Sequence, residues 1–184
     1  MNDQLNAPEG NTPYQRYSLP KWGLASVAVV LVIAGFQIVS ILPIKFWTSN
    51  ILHLLIAFGF TFTGSLFAHE SLHYLTNSIL GYEPVYLWPN KVYVPNVPIS
   101  RQDIVLILLA PQLLSILYIA LLLADLTPGL EIMFEVALIY NIAGGYSDLT
   151  WILRRLTWPR GTRVIVTKDQ DTYVSFPEDY SQSQ

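Results

Sequence analysis

The chain contains no cysteine. That excludes disulfides, thiolate metal ligands and a cysteine nucleophile. Charge is scarce as well: 12% of residues are Asp, Glu, Lys or Arg, and 52% are hydrophobic. Soluble domains carry about 25% charged residues, so this composition, with a mean hydropathy of +0.40, assigns much of the chain to a lipid environment. The net charge of −3 offers no basic excess, which argues against nucleic acid as a partner. Histidine is rare too, with three in 184 residues, a length that allows one domain. The polar opening, Met1 to Pro20, lacks the basic start and apolar core of a signal peptide. The whole chain is therefore expected to be retained.

Four stretches are long and apolar enough to span a bilayer, which takes roughly 20 residues per helix. They run from Trp22 to Ile44, from Ile51 to about Leu80, from about Ile104 to Ala124 and from about Leu130 to Leu153. Gly81 is placed to end the second helix. Pro111 lies inside the third, and the pair Gly144-Gly145 interrupts the fourth. Arg16 and Lys21 precede the first helix, Lys91 and Arg101 lie in the second loop, and the tail holds Arg154, Arg155, Arg160, Arg163 and Lys168. The first loop holds only Lys45, and the third, Asp125 to Gly129, has no basic residue. Alternate loops are thus basic, which puts both termini and the second loop on the cytoplasmic side of a cell membrane. Trp22, Trp47, Trp151 and Trp158 lie near helix ends, as interfacial aromatics do.

Two segments outside the helices have β character. Residues 84–99, around Pro89-Asn90-Lys91, carry runs of Val, Tyr and Trp that suggest a hairpin, with Pro95 and Pro98 limiting its second strand. The tail from Gly161 to Phe176 repeats the pattern around Lys168-Asp169-Gln170-Asp171. The expected architecture is an all-α membrane protein of four transmembrane helices. A small cytoplasmic β-hairpin joins helices two and three, and a short β-containing tail follows helix four. Residues 1–21 form an N-terminal tail, 22–158 the membrane domain and 159–184 the C-terminal tail.

The chemistry concentrates in His69-Glu70-Ser71-Leu72-His73. On a helix, i and i+4 share a face about 6 Å apart, so both imidazoles can hold one metal ion. In this motif the adjacent glutamate is the general base toward zinc-activated water. Two of the three histidines form the motif, on a helix where ionisable groups are costly and functional by default. The alternative is a structural histidine pair hydrogen-bonded between helices.

A catalytic zinc takes three protein ligands and keeps a position for water. His53 is sixteen positions before His69 on the same helix, about 24 Å away, so the third ligand is expected to be a carboxylate. His69 and His73 lie roughly 27–33 Å along helix two, near its cytoplasmic end. Asp148, on helix four, lies at matching depth, roughly 27 Å from that helix's outer start. Glu131 and Glu135 fall on the outer side, as does Asp125. Asp103, at the cytoplasmic start of helix three, is a second candidate, though its place near Arg101 suits a helix N-terminal acid. Asn141 is seven residues before Asp148, on roughly the same face, and its amide is a candidate to bind a substrate carbonyl or a ligand. The intervening glycines either loosen the helix or let helices pack closely.

These features resemble the small multi-pass membrane zincin peptidases, and more distantly the site-2 proteases that cleave within membranes. The resemblance rests on His69 to His73, on Leu109-Ala110-Pro111 and on Asn141 to Asp148, NIAGGYSD, within roughly Ile51 to Leu153. It implies an asparagine and an aspartate on a later helix, with the aspartate completing the metal site. Asn141 lacks the neighbouring proline of the site-2 pattern Asn-Pro-Asp-Gly, and seven positions separate it from Asp148. The expected function is a zinc-dependent protease with Glu70 as general base, His69, His73 and Asp148 as ligands, and membrane-protein or peptide substrates. The Val85–Val94 hairpin is a candidate to hold an unwound substrate strand by β-addition, a plain connecting loop being the alternative. Other readings are a membrane metalloprotease acting on soluble or juxtamembrane peptides, and a non-catalytic membrane zinc-binding or adaptor protein.

Overall fold

Long uncharged runs and few helix breakers produce a mostly helical chain. The computed structural model describes residues 7–19, 21–41, 51–89 and 91–181. Lys45, Trp47, the last three residues of the first expected span (42–44) and Asn90 of the hairpin turn lie outside the described residues. Helix α1 runs Lys21–Ile41. Helices α2 (Ile51–Phe60) and α3 (Leu66–Ile79) are joined by a π-helical turn, Thr61–Ser65. Helices α4 (Arg101–Leu109) and α5 (Gln112–Leu122) meet at Pro111, and α6 (Pro128–Gly144) and α7 (Tyr146–Leu156) meet at Gly145. A single turn, α8 (Glu178–Ser181), lies near the C-terminus.

Of the four expected spans, two are continuous helical runs long and apolar enough to cross a membrane among the described residues: Ile51–Ile79 and Arg101–Leu122. Helix α1 carries a shorter apolar stretch, Gly23–Ala34. The fourth expected span is divided into α6 and α7. At the break, Gly145 admits the close approach of Gln112 from α5, because a Cβ there would lie 2.8 Å from the Gln112 side-chain nitrogen. Gly81 ends α3 as expected. Its φ of 84° is open to glycine at no steric cost. Tyr82 N–H donates to Asn77 O and Gly81 N–H to Ser78 O, the paired bonds of a Schellman cap.

The β content exceeds two separate hairpins. Strands β2 (Val85–Leu87) and β3 (Lys91–Tyr93) form the expected hairpin, with Tyr86 opposite Val92. The tail strands β5 (Arg163–Val166) and β6 (Thr172–Ser175) pair with each other. Two strands of two residues, β1 (Gln15–Arg16) and β4 (Ile99–Ser100), extend them into a four-stranded antiparallel sheet ordered β1-β6-β5-β4. Val94, Ile99, Ile104, Ile107, Trp158, Val164 and Val174 form one buried cluster, which seats that sheet against α4 and the end of α7. A second cluster, centred on Tyr118, Leu122, Ala137, Leu138 and Ile142, holds α5 against α6. Residues of α3, α4 and α7, among them Glu70, Ile107 and Asp148, line one cavity.

Candidate metal centre

The π-helical turn sets which side of α3 faces inward. One wide turn shifts the phase of every later residue, and such turns recur at functional sites. Thr61 and Ser65 are buried within it, and Tyr118 Oη donates to Ser65 Oγ at 3.0 Å. After the turn, Glu70, His73 and Asn77 are buried on one face of α3. Beyond the turn His69 and His73 stand with ring centroids 5.1 Å apart.

Both imidazoles are oriented through Nδ1. His69 Nδ1–H donates to Asn141 Oδ1 at 2.9 Å, and His73 Nδ1–H donates to Ile107 O at 2.9 Å. The assignment follows from the acceptors. A carbonyl can only accept, and the Asn141 nitrogen is committed to Pro111 O at 3.1 Å and Ser115 Oγ at 2.8 Å, which turns Oδ1 toward His69. Ile107 O is available because Pro111, four residues on, has no N–H to close the helical bond. Thus the Ala110-Pro111 break carries a consequence for the site: it releases a carbonyl that His73 uses.

With each Nδ1 protonated, each Nε2 presents a lone pair. His69 Nε2 and His73 Nε2 lie 3.2 and 3.3 Å from the same atom, Asp148 Oδ2. Two lone pairs and a carboxylate oxygen, all within 4.8 Å of one another, repel unless a cation stands among them. A tetrahedral zinc with bonds near 2.0–2.1 Å spaces its ligands about 3.3–3.4 Å apart, which matches these separations. The donor set, the spacing and the outer hydrogen bonds on both rings therefore fit zinc.

The remaining sequence candidates separate clearly. Asn141, a candidate from the sequence to bind a substrate carbonyl or a ligand, is 2% exposed, and its amide is engaged by His69, Pro111 and Ser115. Asp103 is drawn away from the histidines: it accepts from Tyr82 Oη at 2.7 Å, and its N–H donates to the N-cap Ser100 Oγ at 3.1 Å. Burial and then that bond push the Tyr82 phenol up to about 12. His53 packs against Gly129 at the start of α6, 3.6 Å from where a Cβ would stand, far along the helix from the cluster. Glu70 is 8% exposed beside the cluster and lines the same cavity as Val92 of β3.

Several contributors escape a motif search. The Ile107 carbonyl and Ser115 carry no sequence signature. The π-helical turn had one available signal, the small polar set Thr61, Thr63, Gly64 and Ser65 within an apolar helix. The cavity beside the cluster is about 510 Å³ and is closed in part by Lys91, Val92 and Gln170. Lys91 Nζ reaches Gln170 Oε1 at 2.6 Å, which ties the β2–β3 hairpin to the β5–β6 turn across the mouth.

Comparison with curated proteins and with solved structures yields no match. A family model described as "Putative zincin peptidase" matches residues 62–162, more than half of the chain. The matched segment holds His69, Glu70, His73, Asn141 and Asp148, together with the Ile107 carbonyl and the Pro111 break. The chain therefore belongs to this zincin peptidase family, and zinc is the metal that its converging donors suit.

Proposed function

We propose that the protein is a membrane-embedded zinc metalloprotease of the His-Glu-x-x-His type, cutting peptide bonds in or near the bilayer. The observation that carries this reading is the convergence of the His69, His73 and Asp148 donor atoms beside the buried Glu70. His69, His73 and Asp148 would hold the metal. Zinc, when bound, supplies Lewis acidity that polarises a carbonyl and lowers the pKa of a coordinated water. Glu70 takes the proton of the attacking water and returns it to the leaving amine. Asn141 keeps His69 in the tautomer that frees Nε2.

Membrane embedding is supported by exposure. In the apolar window of Ile51–Ile79 only 17% of the residues are buried, whereas the core helix of a soluble protein is mostly buried. Leu52, Leu55, Ile56, Phe58, Phe62 and Phe67 all present apolar surface on that helix. His69 lies about 27 Å from Ile51 along it, near the far side of a hydrocarbon layer about 30 Å thick. With basic loops facing the cytoplasm, α1, the α2–α3 run, the α4–α5 run and the broken α6–α7 pair make four crossings, with both termini cytoplasmic and the active site near that face. Strand β3 pairs only with β2 among the described residues and lines the same cavity as Glu70, where an extended substrate can add to its free edge.

The test compares wild type with Glu70→Gln, each purified in detergent and checked for zinc. Glutamine keeps the shape and loses the base. Hydrolysis of peptide and transmembrane substrates should vanish while zinc stays bound. Unchanged hydrolysis by the variant removes Glu70 from the reaction.

A further inference from the structure

Arg155 lines the cavity without a stated role, and its surroundings differ from those of the other tail arginines. It is 3% exposed, and it lines the same cavity as His69, His73 and Asp148. Its Nε and Nη1 have no hydrogen-bond partner. The described residues give it no ion pair. The guanidinium carbon stands 4.8 Å from the Trp151 ring centroid and 5.5 Å from that of Trp158. Two indoles hold the cation in place through their faces, yet they supply no acceptor for its N–H groups. A buried charge with idle donors is costly unless something completes it.

Position indicates what completes it. Asp148 and Arg155 are seven residues apart on α7, hence on one helical face and about 10.5 Å apart along the axis. Helical side chains lean toward the N-terminus, so Arg155 leans back toward the metal ligand. An extended peptide advances about 3.3 Å per residue. A peptide whose scissile bond lies at the zinc donors therefore brings a group two or three residues away to Arg155. The planar guanidinium is matched to carboxylates.

Resting on the protease reading, we propose that Arg155 is an anionic subsite: it binds a substrate carboxylate within about three residues of the bond that is cut. That carboxylate is either an acidic side chain or a free C-terminus, and the two sources are separable. The probe is a series of nine-residue apolar peptides with one glutamate moved through successive positions. Each has a glutamine counterpart, and a further pair differs only in a free or amidated C-terminus. Affinities are measured by calorimetry on the zinc-loaded Glu70→Gln protein, and cleavage positions by mass spectrometry with wild type.

Glutamate at one position within three residues of the cleaved bond should tighten Kd about tenfold over glutamine. If the C-terminus is the source, the free acid should show that margin over the amide. Arg155→Gln should abolish the margin. Arg155→Lys, which keeps the charge but loses the planar fork, should retain part of it, and it serves as the second variant should the glutamine variant not fold. Equal binding of acidic and neutral peptides overturns the proposal alone. A margin that survives in Arg155→Gln also overturns it. Failure of every peptide to bind, with no cleavage by wild type, overturns the proposal together with the protease reading.

Discussion

Replacing Asn141 with alanine separates two roles that its chemistry allows. In the structure its Oδ1 accepts from His69 Nδ1 at 2.9 Å, and its nitrogen donates to Pro111 O and Ser115 Oγ. Alanine removes all three bonds. His69 then loses the acceptor that selects its tautomer and ring angle, and outer partners of this kind are worth 10–100-fold in metal affinity. That is about 1.4–2.8 kcal/mol of zinc binding. The truncation also leaves buried polar groups unpaired, at about 1–3 kcal/mol of stability. Asn141→Asp separates the two losses, because it keeps an acceptor for His69 while setting a carboxylate against the Pro111 carbonyl. Zinc affinity, measured by competition with a fluorescent chelator in detergent, should fall 10–100-fold in the alanine variant and stay near wild type in the aspartate variant. Thermal unfolding should show both variants destabilised. Wild-type zinc affinity in Asn141→Ala, with a raised KM for peptide, would refute the reasoning and return Asn141 to substrate binding.

Asp148→Ala should lower zinc content and hydrolysis together, unlike Glu70→Gln. Metal analysis showing a full complement of zinc in that variant would remove Asp148 from the ligand set. Because the native chain has no cysteine, single cysteines can be placed without background: one in the segment Lys168–Asp171 should be labelled only from the cytoplasmic side, and one in Asp125–Gly129 only from outside. Labelling of the tail from outside would reverse the orientation. The Tyr82 phenol, raised from 10.0 to about 12 by burial and by Asp103, makes the folded state bind a proton that the unfolded chain releases near pH 10. Its contribution is therefore complete below pH 10 and is lost as pH rises toward 12. Tyr82→Phe should shrink the alkaline loss of stability measured by denaturation between those pH values, and an unchanged loss would contradict the assignment.

The centre was legible in part because helical spacing is local geometry. His69 and His73 share a face at i and i+4 in any α-helix, and the expectation for Asp148 came from counting rise along two apolar stretches read as starting on one side. The structure brings those three residues together. Gly81 was legible for the same reason, since a left-handed residue after an apolar helix has a local cause. Asn141 was expected on the face of Asp148 with a substrate carbonyl or a ligand as its partner, and the structure sets its Oδ1 against His69, because which of these an amide meets depends on how closely α6 approaches α3. The two-residue strands β1 and β4 are too short to leave a pattern. They exist only because β5 and β6 offer unpaired edges, and β1 reaches its partner from the far end of the chain.

Sequence alone determined the chemistry this chain can hold: no thiolate, one His-Glu-x-x-His pair, few carboxylates to complete it, and long apolar runs that suit lipid. Those follow from composition and from the fixed period of a helix. The tertiary structure decided how that chemistry is aimed. It puts the Pro111-released carbonyl of Ile107 on His73 and Asn141 on His69. It also takes Arg155, which counts in sequence as one more basic residue of the tail, and buries it against two indoles beside the metal donors. The physical reason is that hydrogen bonds and charge burial act over about 3 Å, and such distances between helices far apart in sequence are set only by packing.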